Sequence, residues 1–498
     1  MFRIIWVVVQ AGFGVFTAYH LLAAIRRLFY DPLSRFPGPK LAAATDVYMA
    51  YYSISGRLVD QLEILHNCYG PVIRISPKQL HFTDPQAFDE IYTNAKYTKE
   101  PYFYDAFMEQ QSSFGFIDIA KAKARKDILR PLFSRRAILK LEGVVQTTVD
   151  KLVSRILSPE YTQGAPVNLR MAYLATSMEV ITTYCFARSY GAVTPSFNHP
   201  TLIAMESIGP TFMILQHFPF MKPLIFDMPL WLARIMNPEA LAYNDLVEAL
   251  VSQIDEVLEN PLALENAEHE IIYHHLLTPP LGKDISIPTR KSLLDEASVL
   301  IFAGTDTVGN ACMIGSFYVL SDDRVQGKLV EELKSSWPDL NDTIGFEKLE
   351  KLPYLTAVIK ESLRMSHGTV SPLPRVVPTE TVIAGNLVPA NTVVSMGATF
   401  VHNNPQLFED PMVFRPERWL NGHANGLETF LVPFSKGPRS CIGINLAWCE
   451  LYLIFANIFR KVEMKIYDTT VDDLKVKALL TPKYRGKPLR VLAKRRGA

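Results

Sequence analysis

One cysteine in this chain sits in a segment that suits few purposes. Phe434-Ser435-Lys436-Gly437-Pro438-Arg439-Ser440-Cys441-Ile442-Gly443 surrounds Cys441 with glycines, a cation and closely spaced backbone amides. A thiolate bound to haem iron needs a close-approaching backbone, which Gly437 and Gly443 allow, and amide N–H groups aimed at sulfur to tune its charge. Arg439 can pair with a haem propionate. The ordinary alternative for a lone cysteine is a small buried hydrophobe in a loop. Phe434, Gly437, Arg439, Cys441 and Gly443 together outweigh it, and the segment reads as a haem-thiolate loop.

The chain has 498 residues, 48% of them hydrophobic, and a formal net charge of +1. It can bury a large core and has no global preference for nucleic acid or anionic partners. Its five cysteines, Cys68, Cys185, Cys312, Cys441 and Cys449, are scattered and odd in number. They form no disulfide framework and no zinc spacing, which suits a reducing cytosolic compartment.

From Ile4 to Ile25 no residue is charged, and as a helix this run spans about 33 Å, enough for a bilayer core. It exceeds the apolar run of a typical signal peptide, and an aromatic, Arg-flanked exit stands where a cleavage site would be. Arg26, Arg27, Arg35 and Lys40 after the span outweigh Arg3 and the terminal amine before it, which puts the downstream mass in the cytosol. The expected organisation is a membrane anchor at 1–27, a proline-rich hinge at 28–40, and one catalytic domain at 41–498. Pro32, Pro37 and Pro39 make the hinge stiff and extended.

Beyond the hinge no repeat or polar linker divides the chain. Helical periodicity marks 138–157, 241–258, 292–320 and 354–365, and short β-rich pieces fall at 72–75, 381–383 and 393–395. Helix dominates. No dinucleotide-binding glycine fingerprint or iron–sulfur cysteine cluster occurs, so any electrons come from another protein.

The cysteine loop resembles the signature of the cytochrome P450 superfamily, and other segments match that family. In Leu300-Ile-Phe-Ala-Gly-Thr-Asp-Thr307 polar residues interrupt an apolar helix, where buried polar groups need a reason. The resemblance implies an oxygen-activation helix: Gly304 lets the backbone approach dioxygen, Thr307 is the relay alcohol and Asp306 relays protons. A threonine bonding back to the i−4 carbonyl is the ordinary alternative. Val308 stands where the family often has threonine or serine. Glu361 and Arg364, an i,i+3 pair common on any helix, gain meaning from Phe414-Arg-Pro-Glu-Arg418-Trp419: the family's Glu–Arg–Arg triad is structural.

Arg375, after a proline-shaped turn, is implied to meet a haem propionate; a surface salt bridge is its ordinary alternative. Near Ala122 the family usually carries tryptophan or histidine, so here only Arg125 or Lys126 can be carried over as the second propionate partner. Lys121, Lys123, Arg125, Lys126 and Arg130 outweigh Asp127, which suits either a solvated face or steering of an acidic reductase.

The implied fold is mainly α with a small β region, a single catalytic domain behind an N-terminal transmembrane helix. The implied activity is insertion of one oxygen atom from O2 into an apolar small molecule, with haem b as cofactor and NADPH acting through a separate reductase. Segments 103–108, 113–116 and 211–221, rich in aromatics and methionine, are expected to roof the pocket through Phe103, Phe116 and Phe212, with Ala303, Val370 and Leu480 completing it. Few charges there favour a terpenoid, and a carboxylate or phosphate substrate would lack a counter-ion. Tyr69-Gly-Pro-Val-Ile-Arg-Ile-Ser-Pro77, His81-Phe-Thr-Asp84 and Gly443-Ile-Asn-Leu446 resemble fungal specialised-metabolite members, notably the trichodiene-oxygenase-like group. The expected location is the endoplasmic reticulum membrane, single-pass, with the catalytic domain cytosolic. A reductase-independent haem-thiolate isomerase, dehydratase or peroxygenase often lacks the acid–alcohol pair kept here, and a haem sensor has no need of one.

Overall fold

The computed structural model describes the chain except residues 1, 227, 230, 233–234, 236–240, 279–286, 421–425 and 498. Helix dominates, as the periodicity predicts. The amino terminus forms one 28-residue helix, α1 (Phe2–Phe29). Helices α2 (Ile119–Leu129), α3 (Leu169–Phe186), α4 (Pro200–Ser207), α5 (Arg290–Ser321), α6 (Pro353–Ser366) and α7 (Ile444–Lys461) build the site. The periodic run at 138–157 is two helices, Arg135–Lys140 and Glu142–Ile156, because Leu141 leaves helical geometry at φ −105°, ψ 12°.

The centre of the molecule is α3 against α5. Nearly every α3 residue is buried, as are most of α5, so both present apolar residues on every side, and the charged groups they bury, such as Arg170, Glu296 and Asp306, need partners. Glycine lets their backbones meet. A methyl group on Gly309 would lie 2.8 Å from the Leu174 side chain and 3.1 Å from its backbone nitrogen. Helix α7 completes this core with Leu446, Leu453, Phe455 and Ile458.

A five-stranded sheet forms the small β region. Its strands are β1 (Val72–Ser76), β2 (Gln79–Phe82), β3 (Thr98–Lys99), β4 (Arg375–Val376) and β5 (Val393–Ser395), in the order β1-β2-β5-β4-β3. Only β2 and β5 run parallel within it. The register of β3 on β4 sets Lys99 opposite Arg375. Farther along, the hairpin of β6 (Val476–Leu479) and β7 (Thr481–Tyr484) folds back onto α5. The Leu480 carbonyl at its tip accepts from the Val370 and Ser371 amides, at 2.9 and 3.3 Å.

Candidate active site

The cysteine loop lies between α6 and α7. Gly437 has φ +69°, and a methyl group there would sit 2.3 Å from the Tyr92 carbonyl oxygen; only glycine fits. The turn is closed by the Cys441 amide donating to the Phe434 carbonyl at 2.9 Å. Phe434 packs on Trp448, ring centroids 6.3 Å apart. Cys185, Cys312 and Cys449 are fully buried, and burial pushes their thiols up. Of the five cysteines Cys68 and Cys441 are exposed, and Cys441 is the one flanked by glycines and cations. Protein nevertheless surrounds it: burial raises its pKa, opposed by the Gly443 amide and the Lys126 ammonium.

Beside it stands a set of cations short of anions. Arg375 is buried, and its Nη1 donates to the Tyr104 hydroxyl at 2.7 Å and the Pro374 carbonyl at 3.0 Å. Arg439 has a buried Nη1 with no hydrogen-bond acceptor, while its Nη2 only grazes the Ile117 and Asp118 carbonyls at 3.4 Å. Lys126 reaches the Ser440 and Pro438 carbonyls at 2.6 and 3.2 Å. Lys99, which sequence patterning gave no reason to choose, is buried opposite Arg375, its Nζ bonded to the Phe114 carbonyl and 4.3 Å from the Tyr104 ring centre. Burial, then Arg375, Arg439 and Lys126, depress its pKa well below the usual lysine range. Like charges set opposite each other on paired strands repel, and a buried donor without an acceptor is costly. A group carrying two carboxylates relieves both, so these residues fit a haem.

Arg125 is placed otherwise. It pairs with buried Glu296 at 2.9 Å and donates to Ser292 at 2.7 Å, which satisfies its charge within the protein. Its helix neighbour Lys126 is the one beside the cysteine loop.

Helix α5 turns its polar residues in two directions. Ala303 is exposed in the middle of a mostly buried helix and borders open space. Thr307 is half-buried and donates to the Ala303 carbonyl at 2.8 Å: the back-bond is made, and the hydroxyl still lies on the cavity wall. Gly304 points elsewhere, since a methyl group on it would meet Ile181 of α3 at 2.6 Å. Asp306 accepts from Lys483 at 2.9 Å, from Asn310 at 3.2 Å and from the Thr481 hydroxyl. Lys483 also holds Glu206 of α4 at 2.5 Å, and Glu206 pairs with Arg170 of α3. Burial alone would raise the Asp306 pKa, but Lys483 and then Arg170 hold it below the usual carboxylate range.

Ala303, Thr307, Asp306, Lys483 and Glu206 border a cavity of about 150 Å³. Phe212, Ala303 and Leu480 line it, as do Phe107, Phe114 and Met205. Phe103 instead packs behind the wall against Phe107, Phe116 lies under Arg125, and Val370 is buried. Phe107, Phe114 and Phe212 come from the aromatic segments; which side chain faces inward depends on loop geometry that composition does not encode.

Glu361, Arg364 and Arg418 form one buried cluster. Arg364 grips Glu361 with two bonds of 2.9 and 2.8 Å, Arg418 Nε adds one at 3.0 Å, and Trp419 Nε1 another at 2.9 Å. Arg364 then donates to the His402 and Pro411 carbonyls at 2.9 and 2.7 Å, tying α6 to the segment before the cysteine loop.

Comparison with known proteins agrees with this geometry. The family model described as cytochrome P450 matches residues 44–489. The cytochrome P450 monooxygenase macH of Penicillium terrestre is 34% identical over 97% of this chain and 96% of its own length. The conidiogenone synthase of Penicillium rubens is 34% identical over 94% and 95%, and the tryptophan 6-hydroxylase of Fusarium equiseti 31% over 95% and 94%. With an accessible cysteine beside unpaired cations, a matched family model over most of its length and fungal monooxygenases as relatives, the chain belongs to the cytochrome P450 family and is a monooxygenase of the fungal type.

Proposed function

We propose that Cys441 is the axial ligand of haem b and that the enzyme inserts one oxygen atom from O2 into an apolar small molecule, a terpenoid of fungal specialised metabolism. The accessible Cys441 thiol beside Lys99, Arg375 and Arg439 is the observation that carries the reading. When bound, the haem supplies reductive activation of O2, aided by electron density from the thiolate. The Gly443 amide and Lys126 hold that thiolate's charge. Lys99, Arg375 and Arg439 orient the carboxylates. Thr307 presents its hydroxyl at the cavity wall, and the neighbouring Asp306, kept ionised by Lys483, takes up and passes on a proton at its carboxylate. The acid–alcohol pair favours a monooxygenase over a reductase-independent isomerase or a haem sensor.

Electrons come from NADPH through a separate flavoprotein reductase, which the basic face around exposed Lys121, Lys123 and Arg130 suits. We place α1 in the endoplasmic reticulum membrane with the catalytic domain in the cytosol. Trp6, Phe13, Phe16 and Leu22 on α1 are all exposed, as are Phe220 and Leu224 beyond α4, and exposed apolar surface of this extent suits lipid.

The test is a reduced carbon-monoxide spectrum of the purified protein, followed by NADPH consumption with reductase and spectral titration with small terpenoids, fatty acids and charged aromatics. A thiolate-type band, terpenoid-dependent turnover and spin shifts mainly with terpenoids are expected. Absence of the band sinks the haem reading; binding confined to an anionic ligand sinks the substrate class.

A further inference from the structure

The cavity that this reading assigns to substrate carries a charge the aromatic segments did not announce. Glu109 lines it among Phe107, Phe114, Phe212, Met205 and Leu480. The other acids nearby are all engaged. Asp306 holds Lys483, Glu206 holds Lys483 and Arg170, Asp295 holds Lys291 at 2.8 Å and the Gln111 amide at 3.0 Å, and Glu296 holds Arg125. No hydrogen bond or ion pair reaches the Glu109 carboxyl from the described residues. Its backbone is firmly held: the Glu109 carbonyl accepts from the Ser112 amide at 3.1 Å and the Ser112 hydroxyl at 2.7 Å. The turn is closed so tightly that a methyl group on Gly115 would overlap that carbonyl. The side chain therefore stands at the wall on a fixed support. Thr305, on the same wall, has a buried hydroxyl with no partner.

A polar group facing an apolar cavity without a partner is costly until something in the cavity bonds to it. We infer that Glu109 is a specificity-determining residue that hydrogen-bonds a hydroxyl group on an otherwise apolar substrate. Burial and the nearby charges of Asp295 and Glu296 push its pKa well above the usual carboxylate range, against Lys291. A carboxyl that keeps its proton can both accept from and donate to an alcohol. Lys291 and Arg125 already neutralise Asp295 and Glu296, so a cationic amine would find one carboxyl and no wider acidic field, and an anion would find Lys483 already shared between two acids. The alcohol is thus the ligand class the wall favours, and the enzyme acts after a step that has installed a hydroxyl on the skeleton. This inference rests on the cavity being the substrate site.

The experiment uses the ferric holoenzyme and two matched probe pairs, limonene with perillyl alcohol and farnesene with farnesol, titrated by haem spin shift against the parent, Glu109→Leu and Glu109→Gln. Glu109→Leu should weaken alcohol binding by roughly tenfold, the worth of one hydrogen bond to a desolvated group, and leave the hydrocarbons within about twofold; Glu109→Gln should retain most of the alcohol affinity. Equal weakening of alcohol and hydrocarbon by Glu109→Leu, no alcohol effect, or a parent that takes up neither alcohol overturns the assignment. Carbon-monoxide spectra of all three proteins separate the causes. A normal thiolate band with an unchanged alcohol preference defeats the role of Glu109 alone, whereas loss of the band in the parent defeats the haem reading beneath it.

Discussion

Replacing Lys99 with Met should move the protein in two opposite directions. In the haem-free chain the ammonium is buried, faces Arg375 across the strand pair and is repelled by Arg439 and Lys126. Its pKa is lowered from 10.5, so below pH 10.5 the unfolded chain binds more protons at this position than the folded one. Folding stability from this group therefore rises with pH through the window below 10.5. Each pH unit of depression is worth about 1.4 kcal/mol. Methionine has nearly the same length and no charge. The variant apoprotein should be the more stable of the two at pH 7, and its advantage should shrink as pH approaches 10.5. With haem present the sign reverses. A charge-assisted hydrogen bond contributes about 1.5 to 3 kcal/mol, so haem retention should fall by roughly ten- to 150-fold. Urea unfolding of the apoproteins across pH measures the first effect, and the rate of haem transfer to excess apomyoglobin the second. A Lys99→Met apoprotein less stable than the parent at pH 7, with haem transfer unchanged, would refute the argument.

Cys441→Ser should abolish the thiolate-type carbon-monoxide band and all turnover while Cys449→Ser keeps both; the reverse pattern would reassign the ligand. Thr307→Ala should leave haem binding intact and divert NADPH consumption to peroxide or water, and a variant with unchanged coupling counts against the relay. Glu361→Gln leaves Arg364 and Arg418 buried against a neutral partner and should cost about 3 to 5 kcal/mol. With unfolding entropy near 2.1 cal/mol/K per residue over 498 residues, that is about 3 to 5 °C in Tm. Burial would raise the Glu361 pKa, but Arg364 and then Arg418 hold it below 4.5. Its contribution is thus present above pH 4.5 and lost as pH falls through the depressed value, and the gap between parent and variant melting curves should close in that range; a variant melting within 1 °C of the parent at pH 7 sinks the claim.

Contiguous motifs were legible because their chemistry is local. The cysteine loop needs Gly437 for one carbonyl of Tyr92, and a ten-residue phrase is enough to announce it. The Glu361 cluster combines an i,i+3 pair with one distant arginine, and the flanking Pro416 and Trp419 mark that partner. What stayed hidden depends on pairings over long sequence distances. Lys99 acquires its importance from lying opposite Arg375 in a two-residue strand pair. Arg125 is drawn into a buried pair with Glu296, 171 residues along the chain, a partner its own motif does not announce. Gly304 faces Ile181 rather than the cavity because α3 crosses α5 there, which helical periodicity cannot show. Glu109 is one acid among fifty Asp and Glu residues until the turn that carries it is seen to border the cavity.

The charge network around Asp306 draws on Arg170, Glu206, Asn310, Thr481 and Lys483, so its members are synthesised far apart in time. A ribosome that has released α5 has not yet made β7, and until it does Asp306 is a buried acid missing its principal cation. Non-local contacts of this kind form late. A chain truncated ahead of Lys483 would carry the cysteine loop, the triad and all of α5 yet lack the cation that pairs with Asp306. The carboxyl-terminal hairpin thereby sets the order of events: Asp306 gains its principal cation only after Lys483 has been made and has folded back onto α5.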